Sequence, residues 1–353
     1  MPPPDAVSYR PGREADVEAC TRIWKASIED YQRRLNKPAM PDDLGPLRRL
    51  LVHLLTTDPD RFWVATVPGP PESAPTPPAG SDTGRNGHHD PDAVVGFTCA
   101  SLREGLWFLA MLFVDPGRQA DGIGSALLDR AQAGRDVDPG GPAVPSPDDP
   151  LDSGIHTWGM CTDSVQPISN GLYAKRGMVP RIPIWRLFGE IRRWPALPTL
   201  PGTLEAVPFE ALEHDHGDGG RRLATMLDEL DRELVGAAHR VDHTYLRRDG
   251  RSGFLVRERA TGRVVGYTYG SSIGRLGPVA ARDPELHPAL IGTAVREAPA
   301  LGPVALWVPG SATTATRALL DAGLRLDGFP GLICWSRPEH PFERYLPISL
   351  AVI

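Results

Sequence analysis

Between Val114 and Ser125 the residues Val-Asp-Pro-Gly-Arg-Gln-Ala-Asp-Gly-Ile-Gly-Ser leave an apolar, strand-forming run and enter a helical one. Gly122 and Gly124 let the backbone approach a ligand closely, and the N–H groups of the following first helical turn, which lack intrahelical acceptors, point into the same space. Fixed donors at the positive end of a helix dipole suit a phosphate or pyrophosphate. No Lys-Ser/Thr pair follows, so this is not a nucleoside triphosphate loop, and with only two usefully spaced glycines it is not the dinucleotide fingerprint. Taken alone, a turn with two glycines also reads as a plain tight turn. His88 and His89, adjacent in a Gly/Pro/Ser tract, read as solvated loop rather than as a metal pair. Cys20, Cys99, Cys161 and Cys334 lie far apart, without a C-x-x-C pair or grouped His. No metal site is expected from them, and a reducing compartment is.

These groups must be positioned by a chain of 353 residues, beyond the ~250–300 at which a single core usually stops growing, so two domains are expected. Hydrophobic residues at 41% supply enough apolar side chain for two cores and exclude wholesale disorder. Lys and Arg number 38 against 44 Asp and Glu, a formal charge of -6, so no overall field gathers nucleic acid or anionic lipid. A cationic or amine-bearing partner is favoured instead. There is no run of ~18 apolar residues, and no basic segment followed by an apolar one at the N-terminus, so a cytoplasmic protein without a membrane partner is expected.

The periodicity predicts a strand over Ala6 to Arg10, a helix from Val17 through Ile28 capped by Asp16, a helix over Leu44 to Leu55, and a strand over Arg61 to Val67. Residues 68–92 hold little that is apolar and read as a disordered insertion. Two apolar strands, Ala93 to Arg103 and Leu106 to Val114, form a hairpin turning at Glu104-Gly105. A helix follows from about Gly122, then a strand over Ile155 to Cys161, a short helix over Ile168 to Arg176 closed by Gly177, and one or two strands from Met178 to Gly189.

Residues 193–202 (RWPALPTLPG) read as an interdomain linker, beyond which the order of elements starts again. Val264 to Thr268 echoes Val94 to Thr98, Asp283-Pro284 echoes Asp115-Pro116, and Val304 to Gly323 echoes Ile155 to Gly177. Three echoes in order point to a duplicated domain. The second copy has no Q-x-x-G-x-G, carries Pro288 where backbone donors are wanted, and has Leu319 at the position echoing Tyr173.

The first copy resembles the GNAT superfamily of N-acetyltransferases over roughly Val7 to Gly189. The specific part is Q-x-x-G-x-G at Gln119 to Gly124 after L-F-V-D-P at Leu112 to Pro116, joined by Leu172-Tyr173-Ala174-Lys175-Arg176-Gly177-Met178, similar to the usual L-Y-x-x-x-G-F. The resemblance implies an α/β protein of two tandem GNAT-like domains, each a mixed, centrally splayed β-sheet flanked by helices: residues 1–192 catalytic, 203–353 a degenerate copy. It implies acetyl-CoA as co-substrate, its pyrophosphate held by the backbone of Gln119, Ala120, Asp121, Gly122, Ile123, Gly124 and Ser125. Phe113 and Val114 would offer backbone groups to the pantetheine arm, Gln166 a polar contact to the cofactor, and Tyr173 a proton to the departing thiolate. Asp121 departs from the family by standing where a basic residue is common, and Ala120 replaces a common Gly.

No carboxylate lies within the strand Leu106 to Val114, where some members carry a general base. Glu104 and His156 are the nearest candidates, each also readable as an ordinary solvated or packed residue. Tyr173 has a second reading as a core aromatic, and Cys161 reads as a buried thiol sooner than as a nucleophile. Trp24, Glu29, Asp30 and Tyr31 at the end of the first helix would suit a cationic amine, or form a solvated helix end. The tail from Pro341 to Pro347 either crosses back over the first domain or packs on its own. The expected activity is transfer of an acetyl group to an amine of a small molecule or peptide by a monomer or homodimer. Its rivals are acyl or aminoacyl transfer from another donor, and a catalytically silent CoA-binding regulatory module.

Overall fold

The computed structural model describes residues 7–37, 42–68, 92–133, 154–214, 217–337 and 342–352. The insertion expected at residues 68–92, apart from its two end residues, and His88 and His89 with it, lies outside them. The chain divides into two compact units, residues 1–100 with 111–144, and residues 101–110 with 145–353.

In the first unit β1 (Ser8–Pro11) leads into α1 (Val17–Arg34) and α2 (Gly45–Thr57), followed by β2 (Phe62–Pro68), β3 (Asp92–Arg103), β4 (Leu106–Val114) and α3 (Ile123–Ala133). β3 and β4 run on into the second unit at their shared turn. β1 pairs antiparallel with β2 and β2 with β3, and β4 lies next to β3. The core is the apolar face of this sheet against α3: Ala65, Val67 and Val95 meet Ile123 and Leu127. Asp16 stands at the N-cap of α1 without capping it. Its carboxylate instead accepts from both terminal nitrogens of Arg10, at 2.7 and 2.8 Å, and from the Arg13 N–H at 2.8 Å, tying β1 to the helix start. The stripe Val17, Cys20, Ile23 and Ser27 is buried, as helical spacing requires.

The second unit holds β5 (Thr157–Asp163), α4 (Pro167–Ala174), β6 (Val179–Gly189), β7 (Leu204–Pro208), α5 (Phe209–Glu213), α6 (Gly219–Leu234), α7 (Arg240–Arg248), β8 (Ser252–Glu258), β9 (Val264–Gly270), β10 (Val279–Ala281), α8 (His287–Glu297), β11 (Val304–Pro309), α9 (Thr313–Ala322), β12 (Arg325–Leu326), β13 (Gly331–Trp335) and β14 (Tyr345–Leu346). The start of β4 pairs in parallel with β5 from Leu106↔Thr157 to Leu109↔Met160. β13 then lies antiparallel between β5 and β6, and β11 pairs with the far part of β6. A strand from the C-terminal half thus completes the sheet begun by the N-terminal half, and β6 in turn serves β11. A second, antiparallel sheet has the order β14-β10-β9-β8-β7. The C-terminal tail therefore packs on its own half, with Tyr345 opposite Ala280 and Phe342 stacked on Trp335.

The compact units do not follow the expected division at residues 193–202. That segment contains one 3-10 turn, Trp194–Ala196, buries Leu197 completely, and receives Arg296 of α8 on the carbonyls of Leu197 and Pro198. It is packed structure, because Leu197 joins the α8 and α9 core instead of facing water. Among the described residues no helix is long and apolar enough to cross a membrane.

Candidate functional site

The turn from β4 into α3 belongs to the first unit. Asp115 accepts from the Gly117 N–H at 2.8 Å and opens a 3-10 turn over Pro116–Arg118. Backbone bonds stop at Arg118, whose N–H reaches the Asp115 carbonyl, and resume at Ala126, whose N–H reaches that of Gly122. Among the described residues, the N–H groups from Gln119 to Gly124 therefore donate to no protein acceptor. Ala120 and Gly122 both have positive φ, 77° and 78°, the left-handed conformation that anion-accepting nests of successive amides use. A Cβ on Gly122 would meet no atom within 4 Å, so glycine is there for its φ and for the open space above it. Ala120 adopts the left-handed region without glycine's freedom and stores strain in the turn. Gln119, Ala120, Asp121 and Gly122 are exposed, while Ile123 anchors the helix start in the core. The donor set fits a pyrophosphate, and the Asp121 carboxylate has solvent available to it.

Phe113 and Val114 precede the turn. The Val114 carbonyl accepts from the Ser27 hydroxyl at 3.0 Å. The sequence signal for Ser27 was a hydroxyl on the apolar stripe of α1. The Phe113 ring stacks on Phe97, with centroids 5.8 Å apart, and meets the edge of Trp24 at 6.3 Å. Trp24 is thus a packing residue. Asp30 is paired with Arg34 at 2.5 Å, and Lys25 stands 3.8 Å from Glu29 and 2.7 Å from Asp42, so both Glu29 and Asp30 have a cation of α1 itself beside them.

Tyr173 and Gln166 lie in the second unit. Gln166 is the N-cap of α4 and its side chain makes no capping bond. Tyr173, in the last turn, is 6% exposed, and burial raises its phenol above the ordinary value. The helix ends as predicted: Gly177 has φ 81°, its N–H reaches the Ala174 carbonyl, and the Met178 N–H reaches that of Tyr173. These bonds fix the backbone that carries the ring.

Neither candidate base has a free site. The Glu104 carboxylate is gripped by the Arg232 guanidinium, with Nε at 2.9 and 3.0 Å, and accepts the Ala238 N–H at 3.1 Å. The Arg232 hydrogen bond holds its pKa below the usual range. His156 places Nδ1 3.0 Å from the Thr157 hydroxyl and Nε2 3.1 Å from the Glu104 carbonyl. Cys161 has its thiol pushed well up by burial, which makes it a poor nucleophile.

The C-terminal copy repeats the frame without the turn. Asp283 accepts from the Glu285 N–H at 3.0 Å and opens a 3-10 turn over Pro284–Leu286, as Asp115 does over Pro116–Arg118. Helix α8 then starts at once with His287, so the counterpart of residues 119–122 is missing. The Leu324 N–H reaches the Leu319 carbonyl as Met178 reaches Tyr173, which makes fully buried Leu319 the structural counterpart of Tyr173.

Compared by sequence, the chain matches no family model and no curated protein. Solved structures resemble it over nearly its whole length. A protein of Pyrococcus horikoshii assigned as an acetyltransferase is 16% identical with a TM-score of 0.65, over 98% of this chain and 96% of that one. A GCN5-related N-acetyltransferase of Sphaerobacter thermophilus is 17% identical with a TM-score of 0.57, over 99% of each chain. A tandem GNAT protein from the clavulanic acid biosynthesis pathway is 16% identical with a TM-score of 0.52, over 95% of this chain and all of that one. Two copies of one frame, a mixed sheet completed by exchanged strands, and these likenesses together give the chain the tandem GNAT fold, with a C-terminal copy that has lost its turn.

Proposed function

We propose that this protein is an N-acetyltransferase that moves the acetyl group of acetyl-CoA to the amine of a small molecule or peptide in a reducing, cytoplasmic setting. The observation that carries this reading is the row of N–H groups from Gln119 to Gly124, without an acceptor among the described residues, at the N-terminus of α3. The pyrophosphate rests on those amides. The amine nitrogen attacks the thioester carbonyl carbon, the C–N bond forms, the C–S bond breaks, and the thiolate takes the proton of the Tyr173 hydroxyl. Solvent returns a proton to Tyr173 and removes the one shed by the amine. Because Glu104 is committed to Arg232, the amine enters neutral or loses its proton to water.

Calorimetry with acetyl-CoA is expected to give one site per chain, lost in Gly122→Arg, whose long side chain enters the open space above the turn. Two equivalent sites, or normal binding by that variant, would overturn the pyrophosphate assignment. Release of free thiol on mixing with acetyl-CoA and a panel of amines tests turnover. Binding without release under every amine points to the regulatory reading.

A further inference from the structure

We infer that helices α6 and α7 of the C-terminal half form a clamp on the tip of the β3–β4 hairpin, and that Arg103 and Asp242 are positioning residues that fix β4, the strand presenting the acyl-CoA turn. This rests on the reading of that turn as the pyrophosphate site. Arg103, at the end of β3, reaches Asp242 of α7 with Nε and Nη2, at 2.8 and 3.0 Å. The pair is bidentate, 139 residues apart in sequence, and its side chains are only 10% and 7% exposed. One residue on, Glu104 is held by Arg232 of α6 and by the Ala238 N–H of the loop between the two helices. The turn itself has positive φ at both central residues, 45° at Glu104 and 89° at Gly105, the conformation that matches the twist of a two-residue hairpin. On its other side, the Gly105 carbonyl accepts from the His156 N–H at 2.9 Å.

A clamp needs a rigid jaw, and α7 has one. His243, next to Asp242, places Nε2 2.9 Å from an Asp231 oxygen and Nδ1 2.7 Å from the Tyr269 hydroxyl, while the Tyr267 hydroxyl donates to the other Asp231 oxygen at 2.7 Å. This buried network pins α7 to α6 and to β9. A buried ion pair contributes little net stability over an apolar pair of similar size, but it selects one register, because any other leaves a buried charge alone. The lost turn and the replacement of tyrosine by Leu319 leave the C-terminal copy without the equipment for its own chemistry. Holding β4 gives α6 and α7 a task in the chemistry of the first copy.

The test uses the full chain with Arg103→Leu/Asp242→Leu, which removes both charges and strands neither, the charge-exchanged pair Arg103→Asp/Asp242→Arg, and Arg232→Gln at a half-exposed site where folding is not at risk. Amide hydrogen exchange is followed across Leu106–Val114, with β7 to β10 as internal control, and acetyl-CoA affinity is measured by calorimetry. The leucine pair is expected to exchange faster in β4 alone and to bind acetyl-CoA about tenfold more weakly, with Arg232→Gln shifting both in the same direction by less and the exchanged pair recovering both. Unchanged β4 exchange and affinity in the leucine pair would overturn the clamp, as would faster exchange spread equally over β7 to β10, which marks a merely structural role. If the wild-type chain binds no acetyl-CoA while β4 still loosens in the leucine pair, the clamp stands and the acyl-CoA reading falls.

Discussion

Tyr173 is the residue on which the proposed chemical step turns. Its burial disfavours the phenolate, so its pKa lies above the ordinary 10.0 and the hydroxyl carries its proton at neutral pH. The same burial opposes giving that proton up, and a thiolate leaves tolerably without one. Tyr173→Phe keeps the ring and its packing, so kcat in single-turnover measurement is expected to fall by ~10²-fold while acetyl-CoA affinity and unfolding midpoint stay unchanged. A variant with wild-type kcat would show the ring to be core filling. The raised pKa sets the sign of the pH profile: the acid form persists above pH 10, so kcat shows no alkaline fall from this group below that point. A fall near pH 8 or 9 would mean that another group is the acid. The motif around Tyr173 was legible in the sequence, as was the turn at Gln119 to Ser125. The fate of Glu104 was not, because a turn carboxylate looks the same whether water or an arginine 128 residues away holds it.

At the scale of the element, the join between β5 and β13 depends on a missing side chain. Gly159 lies opposite Trp335, and a Cβ on Gly159 would fall 1.9 Å from the Trp335 ring, which is 2% exposed. The indole covers the glycine backbone and fills the space a larger residue would take. Gly159→Ala must push Trp335 aside, along with the Phe108 and Phe342 rings packed against it, and is expected to cost about 3 kcal/mol, read as a lower urea midpoint at unchanged slope. Trp335→Leu in the same background should recover part of the loss. A midpoint equal to wild type would show that β13 is not seated against β5 in this way. In the first half, single strands and helices were legible from periodicity, since each buries one face of its own sequence, although α1 runs on to Arg34 past its expected end at Ile28; helices α5, α6 and α7 of the second half were not read. The echo of Asp115-Pro116 in Asp283-Pro284 was legible too, and it marks the same aspartate-capped 3-10 turn. Which strand sits beside which was not. Nothing in the five residues from Gly331 to Trp335 distinguishes a strand that closes its own copy from one that closes the other.

For the whole molecule, the exchange of strands decides what can fold alone. A Pro-rich stretch at residues 193–202 invites division into halves, yet the first half lacks β13, the neighbour that both β5 and β6 use, and β11, which holds the far part of β6. Cut at residue 192, β5 keeps only its parallel ladder with β4 from Leu106 to Leu109, and Ile184 and Leu187, now fully buried, lose the cores that cover them. The other half loses Arg103 and Glu104 from α6 and α7, along with β6 as the partner of β11. Open strand edges beside uncovered apolar faces pair with whatever is available. Residues 1–192 expressed alone are therefore expected to aggregate or to remain without cooperative unfolding, and residues 193–353 likewise. Coexpressed, the two pieces should copurify as a 1:1 complex that binds one acetyl-CoA, since each supplies the strand the other lacks. A soluble fragment of residues 1–192 that unfolds cooperatively as a monomer and binds acetyl-CoA would show that the exchanged strand is dispensable, and that the second copy is an appendage to the first instead of part of its sheet.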